Sequence, residues 1–219
     1  MWGTSVIRLL VVAAVLMIAG SSPPPRVEPQ GCDLSGVVQL FVRGTDRGSS
    51  GTGFAVDSGI LTNAHMFMAD AAVTVVPNGR ADAAFPSRFL AVDEGTDLAL
   101  VELPIDLAVT PLAPTAWVPQ GTAIRIVGFP GPVQDVASMT QGIVSKVWTN
   151  EMGVRILTDA AVNPGSSGSP ILGNDCTALG IVHARYESPF GRTIYGMGLG
   201  VGAETIRAFL DLVNAEGED

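Results

Sequence analysis

The sequence is poor in basic residues and in residues that bind metal ions. Twelve Lys and Arg residues stand against 21 Asp and Glu residues, which gives a net charge of −9 at pH 7. Nucleic acid and anionic lipid surfaces attract proteins with a basic footprint, so neither is an expected partner. The chain has only two histidines and two cysteines, and their scattered positions match no zinc-ligand spacing. No metal ion or cofactor is therefore expected.

The N-terminal apolar run is too short for an ordinary membrane-spanning helix. It extends over 12 residues, from Leu9 to Gly20, whereas a spanning helix needs about 20. Arg8 precedes the run and small residues follow it, which is the layout of a secretory signal peptide. We predict that residues 1–22 form such a signal and that the protein is secreted or otherwise extracytoplasmic. The alternative is an uncleaved anchor starting at Val6, the one case in which a membrane would be a partner.

Helical periodicity is scarce in the chain, and short apolar segments separated by turn residues take its place. The 26 glycines and 15 prolines supply those turns, and the pattern predicts an all-β protein rather than an α/β sheet. The expected strands cover residues 37–42, 53–56, 60–62, 73–76, 89–92 and 98–103 in the first half, and 123–129, 142–148, 154–158, 171–172, 178–182 and 194–199 in the second.

Two proline-rich stretches divide the chain. Residues 23–35 are predicted to form an extended spacer. The stretch from Leu103 to Gln120 contains four prolines, and such a segment cannot lie inside a sheet. We interpret it as the connection between two six-stranded antiparallel β-barrels, covering residues 36–112 and 113–219.

One helix is predicted at the end of the chain. Ile206, Phe209, Leu210 and Val213 follow the i, i+3, i+4, i+7 spacing of an amphipathic helix, and Glu204 lies in its first turn. The apolar stripe is expected to dock on a barrel.

The two cysteines, Cys32 and Cys176, are expected to form a disulfide, because an even cysteine count in an exported chain favours pairing. Closing a loop of this length is worth on the order of 4–5 kcal/mol in the chain-entropy model. The alternative is two buried free thiols.

Three segments contain the residue types of a hydrolytic triad. They are TNAH (62–65), TDLAL (96–100) and NPGSSGSP (163–170). A hydroxyl becomes a nucleophile near neutral pH when a base lies beside it and a carboxylate lies behind that base. His65, Asp97 and Ser167 provide these groups in the order His, Asp, Ser. Taken alone, each has an ordinary explanation, and Asp93 and Glu94 compete with Asp97 for the acidic role.

Together the three segments resemble the trypsin-like serine peptidases, chiefly the bacterial high-temperature-requirement (Deg) type without a PDZ domain, over roughly Val37 to Val213. The resemblance implies a chymotrypsin-like fold and a serine endopeptidase that acts on protein or peptide substrates without a cofactor. Ser167 would attack the peptide carbonyl and form an acyl-enzyme, His65 would transfer the proton, and Asp97 would orient His65. The resemblance leaves the oligomeric state open.

The resemblance also suggests which residues contact the substrate. The backbone amides of Gly165 and Ser167 would form the oxyanion hole. Ala161 and Val162 would line the base of the specificity pocket, and residues 183–185 (His183, Ala184 and Arg185) would pair with the substrate backbone. A small or apolar side chain is the default preference. His183 and Arg185 suggest an acidic preference as the alternative, and an ordinary strand residue remains a third interpretation of His183.

Two positions depart from the family pattern. Ser166 stands where mammalian digestive enzymes have an aspartate that pairs with a freed N-terminus, so that route of activation is not expected. Ser169 replaces the second glycine of the usual Gly-Gly pair, although Gly-Ser-Pro at 168–170 resembles the staphylococcal glutamyl endopeptidases. This change keeps open a catalytically silent domain that acts as a peptide- or protein-binding module. An α/β-hydrolase esterase is disfavoured because its triad runs in the order Ser, Asp, His.

Overall fold

β-Strands form nearly all of the regular structure in the computed structural model, which describes residues 31–113, 118–131, 135–187 and 193–217. The predicted signal, residues 1–22, and most of the spacer lie outside the described residues. The strands are β1 Val37–Arg43, β2 Gly48–Val56, β3 Gly59–Thr62, β4 Ala72–Pro77, β5 Phe85–Ser87, β6 Phe89–Asp93, β7 Leu98–Val101, β8 Ala123–Gly128, β9 Ser138–Asn150, β10 Gly153–Thr158, β11 Pro170–Leu172, β12 Ala178–Glu187 and β13 Thr193–Gly202. A 3₁₀ turn covers Ala64–Met66, and the helix α1 covers Ala203–Glu216.

The first half forms an antiparallel sheet of seven strands in the order β5-β4-β1-β2-β3-β7-β6. β4 shows why these segments are strands: Val73 and Val75 are buried, while Thr74 and Val76 on the opposite face are partly exposed. The sheet has one strand more than the six predicted, because Phe85–Ser87 pairs with β4 along one edge. An edge strand tolerates Pro86, since a missing N–H costs no internal ladder bond there.

The second half is the six-stranded barrel that the strand pattern predicts. Its order is β10-β13-β12-β11-β8-β9, and it closes because β10 pairs with both β13 and β9. Closure leaves no unpaired sheet edge. A cluster of buried aliphatic side chains fills the barrel, including Ile124, Ile126, Val144, Ile156 and Ile171.

The sheet and the barrel share an apolar core. Phe54 and Leu61 from the sheet pack in the same buried cluster as Val127 and Phe129 from the barrel. Residues from Gly31 onward accordingly form one compact unit. This packing matters for function because side chains at the ends of strands from both halves meet at the seam between them.

The helix α1 docks as predicted, and its apolar stripe is the buried face. Ile206, Phe209 and Leu210 join the shared core, and Val213 packs against it. Within the part of the chain that is described, no helix has both the length and the apolar character needed to cross a bilayer.

A disulfide joins Cys32 to Cys176, with 5.4 Å between the two Cα atoms. The prediction of this pair is confirmed. The bond links residues 144 positions apart, and it ties the start of the first sheet to the turn between β11 and β12. The described part of the proline-rich connection contains no strand, only a bridge between Leu112 and Ala178.

Candidate active site

The three predicted triad residues meet at the seam between the sheet and the barrel. His65 and Ser167 line the same open cavity, which has a volume of about 650 Å³. Asp97 lies behind His65, and only 6% of it is exposed. The other residues that line the cavity are Val162, Asn163, Pro164, His183, Ala184, Arg185 and Leu199.

His65 is placed by the 3₁₀ turn that follows β3. Its backbone N–H donates a hydrogen bond of 2.8 Å to Asp97 Oδ1. Its ring Nδ1 lies 3.1 Å from Asp97 Oδ1 and 3.0 Å from Oδ2. An Nδ1–H donated to the carboxylate leaves Nε2, on the far side of the ring, as the free base. This is the tautomer that a general base toward a serine requires.

Asp97 reaches His65 because its backbone adopts a left-handed conformation, with φ of 61°. Aspartate tolerates this conformation better than most residues. The buried Asn63 amide donates a 3.1 Å hydrogen bond to the Asp97 carbonyl and fixes the turn. Asp93 instead accepts hydrogen bonds from Gly95 and Thr96 within the turn. The fold therefore brings Asp97, and not Asp93, to the histidine.

The electrostatics of the seam keep Asp97 ionised. Burial by itself would raise the pKa of Asp97. The hydrogen bonds from His183 and His65, in that order of size, outweigh burial and hold the pKa well below its ordinary value. An anion behind His65 stabilises the imidazolium that forms when the ring takes up a proton.

The glycines on either side of Ser167 are required by close packing. Gly165 and Gly168 have φ of 94° and 84°. A β-carbon on Gly165 would lie 2.3 Å from the Phe129 carbonyl oxygen, and one on Gly168 would lie 1.9 Å from that of Thr52. The loop is also anchored to the sheet by a 2.8 Å hydrogen bond from the Thr52 N–H to the Ser167 carbonyl. Any side chain at either glycine would push the loop away.

The loop leaves the predicted oxyanion donors unused. The amides of Ser166, Gly168 and Ser169 donate backbone hydrogen bonds, with acceptors on Asn163, Val182 and Ser166 respectively. Among the described residues, the amides of Gly165 and Ser167 donate none. Two unpaired N–H groups in the loop that carries the serine are the kind of donor that stabilises a developing oxyanion.

The Ser167 hydroxyl bonds to a backbone carbonyl in this structure. Its Oγ donates a long hydrogen bond of 3.4 Å to the His183 carbonyl, and within the described residues it forms none with His65. Contacts between nucleophile and base are often loose before substrate binds. A rotation of the Ser167 side chain is the step that would complete the relay.

Comparison with known proteins agrees with this geometry. Residues 51–181 match the model of the trypsin-like peptidase domain. The chain belongs to the trypsin-like peptidase family. It is 33% identical to serine protease HTRA1A of Danio rerio over 74% of the chain, and 30% identical to serine protease HTR4 of Rattus norvegicus over 74%. It spans about a third of the length of these curated relatives, 34% and 33%.

A solved structure supports the fold independently. The crystal structure of the serine endoprotease from Yersinia pestis superposes with a TM-score of 0.70 at 24% identity, and the match covers 84% of this chain and 65% of that one. At this identity the likeness shows the chymotrypsin-like fold and nothing more specific.

Ser169, the departure from the usual Gly-Gly pair of trypsin-like peptidases, is accommodated by a glycine of the same barrel, at the end of the neighbouring strand β8. Ser169 is fully buried, and its Oγ occupies the space that a β-carbon on Gly128 would need. Its backbone still bonds to Ser166 and Val182. Its hydroxyl has no hydrogen-bond partner among the described residues. The substitution therefore adds a buried polar atom without opening the nucleophile loop.

The structure places most, but not all, of the residues predicted to contact the substrate on the cavity wall. Val162, His183, Ala184 and Arg185 line the cavity. Ala161 does not line it; this residue is exposed, and its carbonyl accepts a hydrogen bond from Thr140. Three residues that sequence reasoning did not select, Asn163, Pro164 and Leu199, complete the wall. Asn163 and Pro164 were already part of the recognised motif, whereas nothing local marks Leu199.

Sequence reasoning also missed the contact between His183 and Asp97. His183 Nδ1 lies 2.5 Å from Asp97 Oδ2, so two imidazoles share one carboxylate. The potential ligand atoms of His65, Asp97 and His183 all lie within 4.8 Å of one another, a grouping that the sequence spacing did not indicate. Both Nδ1 atoms already have the Asp97 carboxylate as a hydrogen-bond partner.

Proposed function

We propose that this trypsin-like peptidase domain is a serine endopeptidase whose triad is His65, Asp97 and Ser167. The observation that carries the proposal is the bond from His65 Nδ1 to the buried, ionised Asp97, with Ser167 on the same cavity wall. Ser167 attacks the scissile carbonyl while His65 Nε2 takes the hydroxyl proton. The oxyanion is held by the amides of Gly165 and Ser167.

The reaction proceeds through an acyl-enzyme. When the tetrahedral intermediate collapses, the C–N bond breaks and His65 gives its proton to the leaving amine. Water then enters, His65 takes one of its protons, and the hydroxide attacks the ester carbonyl. The second collapse breaks the C–O bond to Ser167, His65 returns the proton to Ser167, and the new carboxylic acid leaves and ionises. No step needs a cofactor.

The substrate is a protein or peptide in extended conformation that pairs with β12 at residues 183–185. Val162 and Leu199 give the pocket apolar walls beside Ser167, which supports a preference for small or aliphatic side chains. The acidic preference is the alternative: Asp97 engages His183 Nδ1 and leaves only Nε2 to meet an acidic side chain. A peptide series with Ala, Val, Glu or Lys before the scissile bond tests this preference. Cleavage confined to Glu would contradict it.

Export through an N-terminal signal is part of the same proposal, with residues 36–112 and 113–219 as the two halves of the mature enzyme. The Cys32–Cys176 disulfide supports an oxidising compartment. Expression of the full chain in a bacterial host, followed by mass determination of the exported form, tests this directly. An intact mass in the membrane fraction would instead indicate an uncleaved anchor.

One observation favours a second candidate, a catalytically silent peptide-binding module. Ser167 Oγ bonds to a backbone carbonyl and not to His65. A fluorophosphonate probe separates the two functions, because it modifies only an activated serine. We expect stoichiometric labelling of the wild type and none of Ser167→Ala. A folded wild type that binds peptide without labelling or turnover would establish the binding module.

A further inference from the structure

His183 contacts two members of the proposed triad through two different groups. Its ring Nδ1 bonds to Asp97 Oδ2, and its backbone carbonyl accepts the bond from Ser167 Oγ. The side chain is largely buried, with 23% exposed. His183 belongs to β12, whereas Asp97 precedes β7 in the other sheet, so the contact bridges the seam between the two halves.

The donor and acceptor groups of the side chains explain the contact between His183 and Asp97. Asp97 is an acceptor only, so the shared carboxylate requires an N–H from each imidazole. His65 Nδ1 is almost equidistant from the two carboxylate oxygens, at 3.1 Å and 3.0 Å. It therefore does not by itself define which way the carboxylate faces. The His65 backbone N–H bonds to Oδ1 and His183 Nδ1 bonds to Oδ2 alone, so these two donors together fix the rotation of the carboxylate.

The surroundings leave few other groups for that task. The His65 backbone N–H bonds to Oδ1. Arg155 is buried and feels the charge of Asp97 electrostatically, but no hydrogen bond between the two is present in the described part of the chain. His183 is thus the one side chain besides His65 that bonds to this carboxylate among the described residues.

We propose that His183 is a positioning residue for the triad: its Nδ1–H holds the Asp97 carboxylate in the orientation that aligns His65. This inference rests on the proposed function, since it assumes that Asp97 and His65 act on Ser167. It assigns the His183 side chain to the catalytic seam rather than to recognition of an acidic substrate. Its ring Nδ1 acts on Asp97 and not on a reacting atom.

Two substitutions separate positioning from simple packing. His183→Ala removes the donor, and His183→Asn keeps an N–H close to the place of Nδ1. A hydrogen bond to a charged group is worth about 1.5–3 kcal/mol, so we expect His183→Ala to lower kcat ten- to hundredfold with KM changed less than about twofold. We expect His183→Asn to recover kcat to within about threefold of wild type. His183→Leu supplies the donor-free form if the alanine variant does not fold.

A spectroscopic signature provides a second readout. Each imidazole N–H bonded to Asp97 is expected to give a strongly deshielded proton resonance. The wild type should show two such resonances, and all His183 variants should show one.

The outcomes are distinguishable from failure of the proposed function. If Ser167→Ala retains activity, the triad itself is wrong. If Ser167→Ala is inactive while the folded His183→Ala or His183→Leu has wild-type kcat, the positioning role is overturned. It is also overturned if the asparagine and donor-free variants lose kcat equally, or if the loss falls on KM, because the strand alone would then explain His183.

Discussion

Gly128 and Ser169 compete for one space at the seam: a β-carbon on Gly128 would lie 1.9 Å from Ser169 Oγ and 2.7 Å from Thr52 Oγ1. Overpacking of this kind typically costs about 1–3 kcal/mol. We predict that Gly128→Ala destabilises the protein by at least that amount in urea unfolding. The loss should be smaller when Ser169→Gly is introduced with it. Strictly additive effects of the two changes would contradict this coupling.

Ser169 also carries a buried hydroxyl that lacks a partner within the described residues. An unsatisfied buried polar group costs about 1–3 kcal/mol. We therefore predict that Ser169→Ala leaves the free energy of unfolding unchanged or raises it by about 1 kcal/mol, and that fluorophosphonate labelling continues. A clear loss of stability would show that the hydroxyl has a hydrogen-bond partner in solution.

The glycine before Ser166 offers a sharp test of the nucleophile loop. Gly165→Ala places a β-carbon 2.3 Å from a carbonyl oxygen, whereas Gly79→Ala, at φ of 72°, meets no atom within 4 Å. Both changes strain a left-handed backbone, at a cost of about 1 kcal/mol. We predict that only Gly165→Ala lowers the labelling rate, by at least about a hundredfold, because it displaces an oxyanion donor. Equal effects would mean that strain alone matters.

Asp97 should make stability depend on pH in a defined direction. The pKa of Asp97 is lowered on folding, so the unfolded chain takes up the proton first as pH falls. Its contribution is therefore full above its unfolded pKa of about 4 and is lost as pH falls through the lower folded value. We predict that Asp97→Asn costs about 1.5–3 kcal/mol at pH 7.

The difference between wild type and Asp97→Asn should shrink steadily below about pH 4. His65, His183 and Arg155 act on this carboxylate by hydrogen bond or by charge, and Glu94 lines a small cavity together with it. Denaturant unfolding at a series of pH values measures the effect, with the exposed Asp57→Asn as control. A difference that stays constant down to pH 2 would contradict a lowered pKa.

The disulfide should contribute measurable stability. Cys32 and Cys176 are separated by 144 positions of sequence. For a loop of this size, the chain-entropy model gives a stabilisation on the order of 4–5 kcal/mol. We predict a loss approaching that value in the Cys32→Ser/Cys176→Ser double variant, measured by guanidinium unfolding. Thiol titration of the unreduced wild type should find no free thiol, and two free thiols would contradict the pairing.

Several features of this protein could be read from local sequence. Alternation and turn residues indicated most strands, and the spacing of Ile206, Phe209 and Leu210 indicated α1, because these patterns reflect which face of a short element is buried. The motifs around His65, Asp97 and Ser167 indicated the family, because the glycines near Ser167 are required by the close packing of that loop. The strand Phe85–Ser87 was not predicted, because a three-residue segment that contains a proline shows no alternation of apolar and polar residues.

Tertiary structure alone decided what joins the two halves. His183 reaches Asp97 from the other half, across 86 positions of sequence. Within the barrel, Gly128 leaves space for Ser169, and Leu199 enters the cavity wall from β13. No local pattern encodes such contacts, because they depend on the register of strands that lie far apart in the sequence and on how the sheet and the barrel pack. The chain's residue types determined which chemistry was available, and packing across the seam determined which side chains meet to perform it.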